Sequence, residues 1–149
     1  MKLVILDDSH VGRGRHPLAE AAALSEVFLG GVALLEGREL RQNTFLTAHD
    51  FTRGVVEPAL KNAEDDGDAA LVLDLNIHGR LWFGRDVLRT LRDDEELPLI
   101  VIAYSANIST EIRTELEDFV PAIEVFNRYS VPYDKVLRRL VALRAQLNP

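Results

Sequence analysis

Carboxylates that follow apolar runs are the residues of this sequence with the clearest chemical potential. Asp7 and Asp8 follow the run Lys2–Leu6, and Asp74 follows the run Ala69–Leu73. Such short runs, bounded by turn-forming residues, are typical of strands buried in a parallel sheet. The carboxyl ends of neighbouring parallel strands meet at the edge where open α/β sheets bind their ligands. The sequence therefore predicts that the three carboxylates converge, with cationic or polar groups nearby to compensate for their burial.

Length and composition limit the classes of protein that the sequence can encode. A chain of 149 residues has the size of one ordinary domain, and we expect a single domain over residues 1–149. With 47% hydrophobic residues, 28% charged residues and no long apolar stretch, the chain is neither disordered nor transmembrane. Its start lacks the cleavage site of a signal peptide, so we expect a cytoplasmic protein. The absence of cysteine excludes disulfides, thiolate metal sites and cysteine nucleophiles.

The formal net charge of −7 bears on the kind of partner. Phosphate backbones are bound by basic patches, so this charge argues against nucleic acid as a direct partner. A protein or a divalent cation fits the charge better.

The first half of the chain predicts a helix and leaves one stretch open. Pro17 suits a first helical position, and helical spacing continues to Leu29, before Gly30-Gly31. The stretch from Val32 to Asn43 either prolongs this helix or forms a strand. Further along, the segment from Thr44 to Ala48 is typical of an edge strand.

A second helix is predicted from Thr52 to Ala63, where Pro58 should kink the helix or delay its start. The apolar pattern also predicts strands at Ala69–Leu73, Leu99–Tyr104 and Ile123–Phe126. Three more helices are predicted: one with Val87, Leu88 and Leu91 inward, one capped by Ser109 or Thr110 with Ile112, Leu116 and Phe119 inward, and a last one from Tyr133 to Leu147. The alternation of strands and helices predicts one doubly wound domain with a parallel sheet.

Four strand ends together resemble the receiver domain of two-component response regulators. They carry Asp7-Asp8, Asp74, Ser105-Ala106 and Arg128, in the order in which the family has its functional residues. The separations between Asp74, Ser105 and Arg128 are close to the usual ones, whereas the longer separation of Asp8 from Asp74 indicates an insertion before the third core strand. The resemblance covers nearly the whole chain and implies a flavodoxin-like five-stranded parallel sheet.

The resemblance also implies a role for each residue. Asp74 would match the phosphoacceptor, a carboxylate that attacks the phosphoryl group of a phosphohistidine or small phosphodonor. Asp7, Asp8 and Asp74, with the backbone carbonyl of Asn76, would hold Mg²⁺, a hard cation that prefers oxygen ligands. Ser105 would bind the phosphoryl oxygens.

The implied partners are a sensor histidine kinase or phosphotransfer protein, a downstream protein and a second copy of the chain, but neither nucleic acid nor membrane. The face formed by the last two helices and the strand between them is the expected contact surface. Its aromatic residues would be Tyr104, Phe126, Tyr129 and Tyr133.

Three positions depart from the family pattern. Arg128-Tyr129 stands where the family has Lys followed by Pro, and His78 stands where Pro is usual. The switch aromatic is displaced from position 125, which is Val125, to Phe126. Because a guanidinium grips carboxylates in two-point geometry and cannot lose its proton, we expect Arg128 to hold Asp74 and to make phosphorylation slow or absent.

Two alternative functions therefore stay open. One is a phosphorylation-independent pseudo-receiver that keeps the fold as an interaction module. The other is a Mg²⁺-dependent aspartyl phosphohydrolase, although such an enzyme requires a carboxylate as general acid at the position where this chain has Asn76. Taken singly, each carboxylate could also be an ordinary helix cap.

The four histidines complete the candidate side chains. His10, His16, His49 and His78 lack the spacing of metal ligands on one helix face, and we expect all four to lie at the surface.

Overall fold

A computed structural model of the chain describes residues 1–9, 15–64 and 68–147, in which one five-stranded sheet is found. The strands are β1 (Lys2–Leu6), β2 (Val32–Leu35), β3 (Ala69–Leu73), β4 (Ile100–Ser105) and β5 (Glu124–Asn127). Their order is β2-β1-β3-β4-β5, and every neighbouring pair is parallel. The predicted flavodoxin-like, doubly wound topology is confirmed.

Helices cover both faces of this sheet. They are α1 (Pro17–Ala23), α2 (Arg38–Gln42), α3 (Ala48–Phe51), α4 (Glu57–Glu64), α5 (Phe83–Asp93), α6 (Thr110–Phe119) and α7 (Tyr133–Leu147). Helices α1 and α7 form one apolar layer with the sheet, and α2 to α6 form the other. Within the described ranges, no helix is both long and apolar enough to cross a membrane.

The central strands are apolar because both of their faces are covered. Leu3 and Ile5 of β1 face the layer of α1 and α7, whereas Val4 and Leu6 face the opposite layer. The register pairs Leu6 with Leu73 across β1 and β3. The residues that follow this pair are Asp7 and Asp74, so the two carboxylates leave the sheet side by side.

The first helix is shorter than predicted. It ends at Ala23, and Leu24 is 89% exposed instead of continuing an apolar stripe. A 3₁₀ turn at Glu26–Phe28 buries Phe28, and the N–H of Gly30 then donates to the carbonyl of Met1. This close approach turns the chain back along β1. The stretch from Val32 to Asn43, for which a longer helix and a strand were the two alternatives, therefore begins with the strand β2.

The predicted edge strand over residues 44–48 is wrong. The side chain of Asn43 accepts a hydrogen bond from the N–H of Phe45, and the side chain of Thr47 accepts one from the N–H of Asp50 to cap α3. Such local bonds from polar side chains compete with strand pairing. They leave Phe45 91% exposed.

The insertion before the third core strand lies after β2. Because Val32–Leu35 is β2 itself, the additional length falls in the connection 36–68, which carries α2, α3 and α4. Arg80, in the loop after β3, donates to the carbonyls of Leu40, Asn43 and Leu46 in this connection. The insertion is therefore fastened to the loop beside Asp74.

Pro58 coincides with an irregular helix, as predicted, but the helical segment begins earlier. A π-helical turn at Thr52–Val56 joins α3 to α4, and the N–H of Glu57 donates to the carbonyl of Thr52. Proline has no N–H to continue the α-helical pattern, and the wider turn accommodates this loss. In the second half of the chain, the cap at Ser109 and the span of α7 are as predicted.

Candidate functional site

The polar residues predicted to form a site meet at the carboxyl edge of the sheet. Asp7 follows β1, Asp74 follows β3, Ser105 ends β4 and Arg128 follows β5. The start of α5 approaches this edge closely, since a Cβ added at Gly84 would lie 2.3 Å from the carbonyl oxygen of Asp74. A glycine is needed there for α5 to pack against the end of β3.

Asp74 is buried, and its carboxylate accepts three hydrogen bonds. Ser105 Oγ donates to Oδ1 at 2.6 Å, and the N–H of Asn76 donates to the same oxygen at 3.1 Å. Arg128 Nη1 donates to Oδ2 at 3.2 Å. Burial raises the pKa of Asp74 above its usual value, although the bonds from Ser105, Asn76 and Arg128 oppose that effect.

Arg128 bridges two carboxylates, and its predicted contact with Asp74 is present. In addition to its bond to Asp74, its Nη2 donates to Asp7 Oδ2 at 2.7 Å. The guanidinium lies 5.2 Å from the centre of the Tyr104 ring, within the range of a cation–π contact. Its Nε is buried and has no hydrogen-bond partner among the described residues.

The carboxylate of Asp7 also makes three polar contacts. Its Oδ2 contacts both Arg128 Nη2 and His16 Nε2, the latter at 2.8 Å, while its Oδ1 accepts from the N–H of Ser9 at 2.9 Å. Burial alone would raise the pKa of Asp7, but the bond from His16 and the charge of Arg128 outweigh it and lower the pKa from 3.8 to about 2. Asp7 is therefore held ionised, whereas its neighbour Asp74 takes up a proton more readily.

His16 belongs to this site, and the prediction that it lies at the surface is wrong. It is only 3% exposed and caps α1, where its Nδ1 accepts from the N–H of Ala19. Because Nδ1 accepts, the proton is on Nε2, which donates to Asp7. His49 is exposed as predicted, and His10 lies outside the described residues.

Asp8 is held by the loop that follows β3. The N–H of His78 donates to Asp8 Oδ2 at 2.7 Å, and His78 Nε2 lies 2.7 Å from the carbonyl oxygen of Glu36 at the end of β2. His78 has a positive φ of 48°. It thus ties the loop to the ends of two strands, and it is half-buried instead of lying freely at the surface.

The carboxylates match a divalent cation in type and spacing. Asp7, Asp8 and Asp74 each place an oxygen within 4.8 Å of the others, so the cluster could hold a metal ion. Arg128 and His16, however, already contact Oδ2 of Asp7. A cation held by this cluster would therefore compete with Arg128 for Asp7 and Asp74.

The side chain of Asn76 faces its own loop. Its Oδ1 accepts from the N–H of Trp82 at 3.0 Å, which closes the turn that leads into α5. The backbone N–H of Asn76 donates to Asp74, and the role of its carbonyl as a metal ligand stays a prediction.

An aromatic pair supports Arg128 from the α7 side. Tyr104 is buried, donates its hydroxyl to the carbonyl of Val131, and packs edge-on against Tyr133 at 5.2 Å. Tyr133 also packs edge-on against His16 at 5.3 Å. Tyr104 is therefore a core residue, which contradicts its assignment to a contact surface, whereas Tyr129 is 77% exposed.

Comparison with known proteins supports the fold from an independent direction. The chain is similar to the crystal structure of the signal receiver domain of a protein described as a Luxo repressor from Vibrio parahaemolyticus. The TM-score is 0.61 at 15% sequence identity, over 97% of this chain and 90% of that one. No protein-family model matches the sequence, and neither does any curated protein. The chain thus has the fold of a signal receiver domain.

Proposed function

We propose that the chain is a receiver-type signalling module of one domain that acts by contact with another protein, and that Arg128 holds its acidic pocket in place of a metal ion. The observation that carries this proposal is the bridge from Arg128 to Asp7 and Asp74, with nitrogen–oxygen distances of 2.7 and 3.2 Å. The receiver-domain fold supports a signalling role.

The chemistry of arginine explains why such a bridge would fix the pocket in one state. A guanidinium is always charged and offers several donors in one plane, so it can serve two carboxylates at once. Removing one partner from a buried ion pair leaves an uncompensated charge, at a cost of about 3–5 kcal/mol. An incoming phosphoryl group or metal ion would have to displace Arg128 from Asp7 or Asp74, which should make phosphorylation slow.

A second function is favoured by another contact, the 2.6 Å hydrogen bond from Ser105 Oγ to Asp74. In this function Asp74 attacks the phosphorus of a phosphohistidine or of a small phosphodonor, the bond to the donor breaks, and Ser105 binds an oxygen of the transferred group. A bound Mg²⁺ would neutralise the developing charge. The partners would then be a sensor histidine kinase or phosphotransfer protein and a downstream protein.

An aspartyl phosphohydrolase is the least supported function. Its general acid would be residue 76, and an amide such as Asn76 cannot donate a proton in that role. The Asn76 side chain is moreover engaged with the N–H of Trp82.

The test is the intact mass of the full chain after incubation with acetyl phosphate and Mg²⁺. We expect little phosphoryl adduct on the wild type and more on Arg128→Lys, because an ammonium makes a more mobile contact with the acidic pocket. Asp74→Asn should abolish any adduct in both backgrounds. Rapid labelling of the wild type, with no gain in Arg128→Lys, would contradict the proposal and support the phosphorylated receiver.

A further inference from the structure

A second group of charged side chains lies where the start of α4 meets the end of α5. Asp94 caps the end of α5 and accepts two hydrogen bonds from Arg53, at 2.8 and 2.9 Å. Asp94 also contacts the carboxyl group of Glu57, the first residue of α4. Since α5 begins beside Asp74 and rises about 1.5 Å per residue, this cluster is about 15 Å from the acidic pocket.

The charges of this cluster do not balance when every group is ionised. The carboxylates of Glu57, Asp94 and Glu96 face two cations, Arg53 and Lys61, and Lys61 Nζ lies 3.4 Å from Glu96. Two residues of α3 also lie close enough to influence the cluster, Asp50 through Arg53 and His49 through Asp94. One proton on a carboxylate would neutralise the five groups of the cluster.

The environment of Glu57 identifies where that proton would reside. Its Oε1 is buried and, among the described residues, has no donor of its own, while Asp94 is already satisfied by Arg53. Two ionised carboxylates in contact repel, whereas a protonated carboxyl group donates to an ionised one.

We propose that Glu57 and Asp94 share one proton, carried by Glu57, and that this proton fastens the π-helical turn and the start of α4 to the end of α5. The turn at Thr52–Val56 contains Arg53 and ends directly before Glu57. Loss of the proton brings two negative charges together at this junction and loosens it.

The direction of the titration agrees with this geometry. Burial, followed by the bond to Asp94, raises the pKa of Glu57 from 4.5 to about 7. The bonds from Arg53 hold the pKa of Asp94 below its usual value. Because the pKa of Glu57 is raised on folding, its stabilising contribution is complete below about pH 4.5 and is lost as the pH rises through about 7.

The experiment follows carboxyl ¹³C chemical shifts of the full chain by NMR as the pH is varied. We expect the Glu57 carboxyl to titrate near neutral pH and to shift toward an ordinary glutamate value in Asp94→Asn. A midpoint near 4.5 in the wild type would overturn the proposal, and this measurement does not depend on any variant being folded.

Thermal unfolding provides the second readout. Between pH 6 and pH 8 the melting temperature of the wild type should fall, and Glu57→Gln, which keeps a donor without a titrating proton, should remove most of that fall. Glu115→Gln is the matched control, since Glu115 pairs with Arg85 and Arg89 instead of with a carboxyl group. An unchanged fall in Glu57→Gln would contradict the shared proton.

Discussion

Arg128 donates to two carboxylates through two different nitrogens, so its removal should expose a cation site. In Arg128→Ala the oxygens of Asp7, Asp8 and Asp74 lose a permanent positive charge while staying within reach of one ion. A ligand that binds only the folded state stabilises it by mass action. The gain is about 1.4 kcal/mol when the free ligand concentration is ten times the dissociation constant. Such a gain would raise the melting temperature of a chain of this size by about 3–6 °C.

We therefore expect millimolar Mg²⁺ to raise the melting temperature of Arg128→Ala and to affect the wild type little. Arg139→Ala is the matched control, because Arg139 also forms multiple hydrogen bonds with a carboxylate, that of Glu124, outside the pocket. Asp8→Ala introduced into Arg128→Ala should reduce the response. An equal Mg²⁺ response in wild type and Arg128→Ala would show that Arg128 does not compete with the metal.

His16 should contribute to stability through Asp7. His16→Phe keeps a ring against Tyr133 but removes the donor to Asp7 and the cap of α1. A buried acceptor deprived of a donor lowers the free energy of unfolding by about 1–3 kcal/mol. Urea unfolding at neutral pH should detect this loss, with the exposed His49→Phe as a control near the wild-type value.

The pH dependence of stability at acid pH tests the same contact between His16 and Asp7. Because the pKa of Asp7 is lowered on folding, ionised Asp7 stabilises the fold above its unfolded value of 3.8, and this contribution is lost as the pH falls through about 2. In His16→Phe the pKa should move back toward 3.8 and the pH dependence in this range should weaken. An unchanged dependence would mean that His16 does not set the pKa of Asp7.

Sequence reasoning anticipated the acidic residues of the site but not the histidine. The carboxylates, Ser105 and Arg128 end strands whose apolar patterns are strong, so topology alone brings them together. His16 lies nine residues after Asp7, and no apolar pattern in the sequence predicts that these two side chains meet. One signal was available, since Pro17 at a first helical position makes His16 the cap, and this places it at the same edge as Asp7.

At the scale of elements, the packing of α5 against β3 depends on a single glycine. In Gly84→Ala the new Cβ would lie 2.3 Å from the Asp74 carbonyl oxygen and 2.8 Å from Leu75 Cα. Because both are backbone atoms, the helix or the strand end has to shift, and we expect a loss of about 2–4 kcal/mol in the free energy of unfolding.

Gly54→Ala is the control for this prediction, since nothing lies within 4 Å of an added Cβ and Gly54 has no positive φ. Alanine there should be neutral or slightly stabilising, because it reduces the conformational freedom of the unfolded chain. Urea unfolding of both variants provides the comparison. Equal stabilities would show that α5 can move away from Asp74 without a penalty.

The elements that sequence predicted well are those with long periodic patterns. Helix α7 and the cap of α6 are correct because their apolar stripes and polar caps agree. The errors fall between residues 24 and 48, where elements are short and their conformation depends on partners distant in sequence. Strand β2 is only half-buried at the sheet edge and pairs with β1, and neither fact is encoded in a local apolar pattern.

At the scale of the whole molecule, the sheet shares its two faces between two apolar layers. Leu88 of α5 is fully buried in one layer, and Leu140 of α7 is fully buried in the other. Neither layer can bury its apolar surface without the strands between them. This arrangement predicts that residues 1–149 unfold as one cooperative unit.

The single tryptophan, Trp82, packs beside the α5 layer, whereas Tyr104 and Tyr133 report on the α7 layer. In urea we expect Trp82 fluorescence, the near-ultraviolet signal of the tyrosines and far-ultraviolet circular dichroism to change together, with a slope of about 1–3 kcal/mol per molar. Leu88→Ala and Leu140→Ala, which leave cavities in opposite layers, should each lower the midpoint of all three signals by an amount equivalent to about 2–5 kcal/mol. If Leu88→Ala displaced only the Trp82 transition, the α5 layer would be a separate folding unit, and the one-domain assignment would fail.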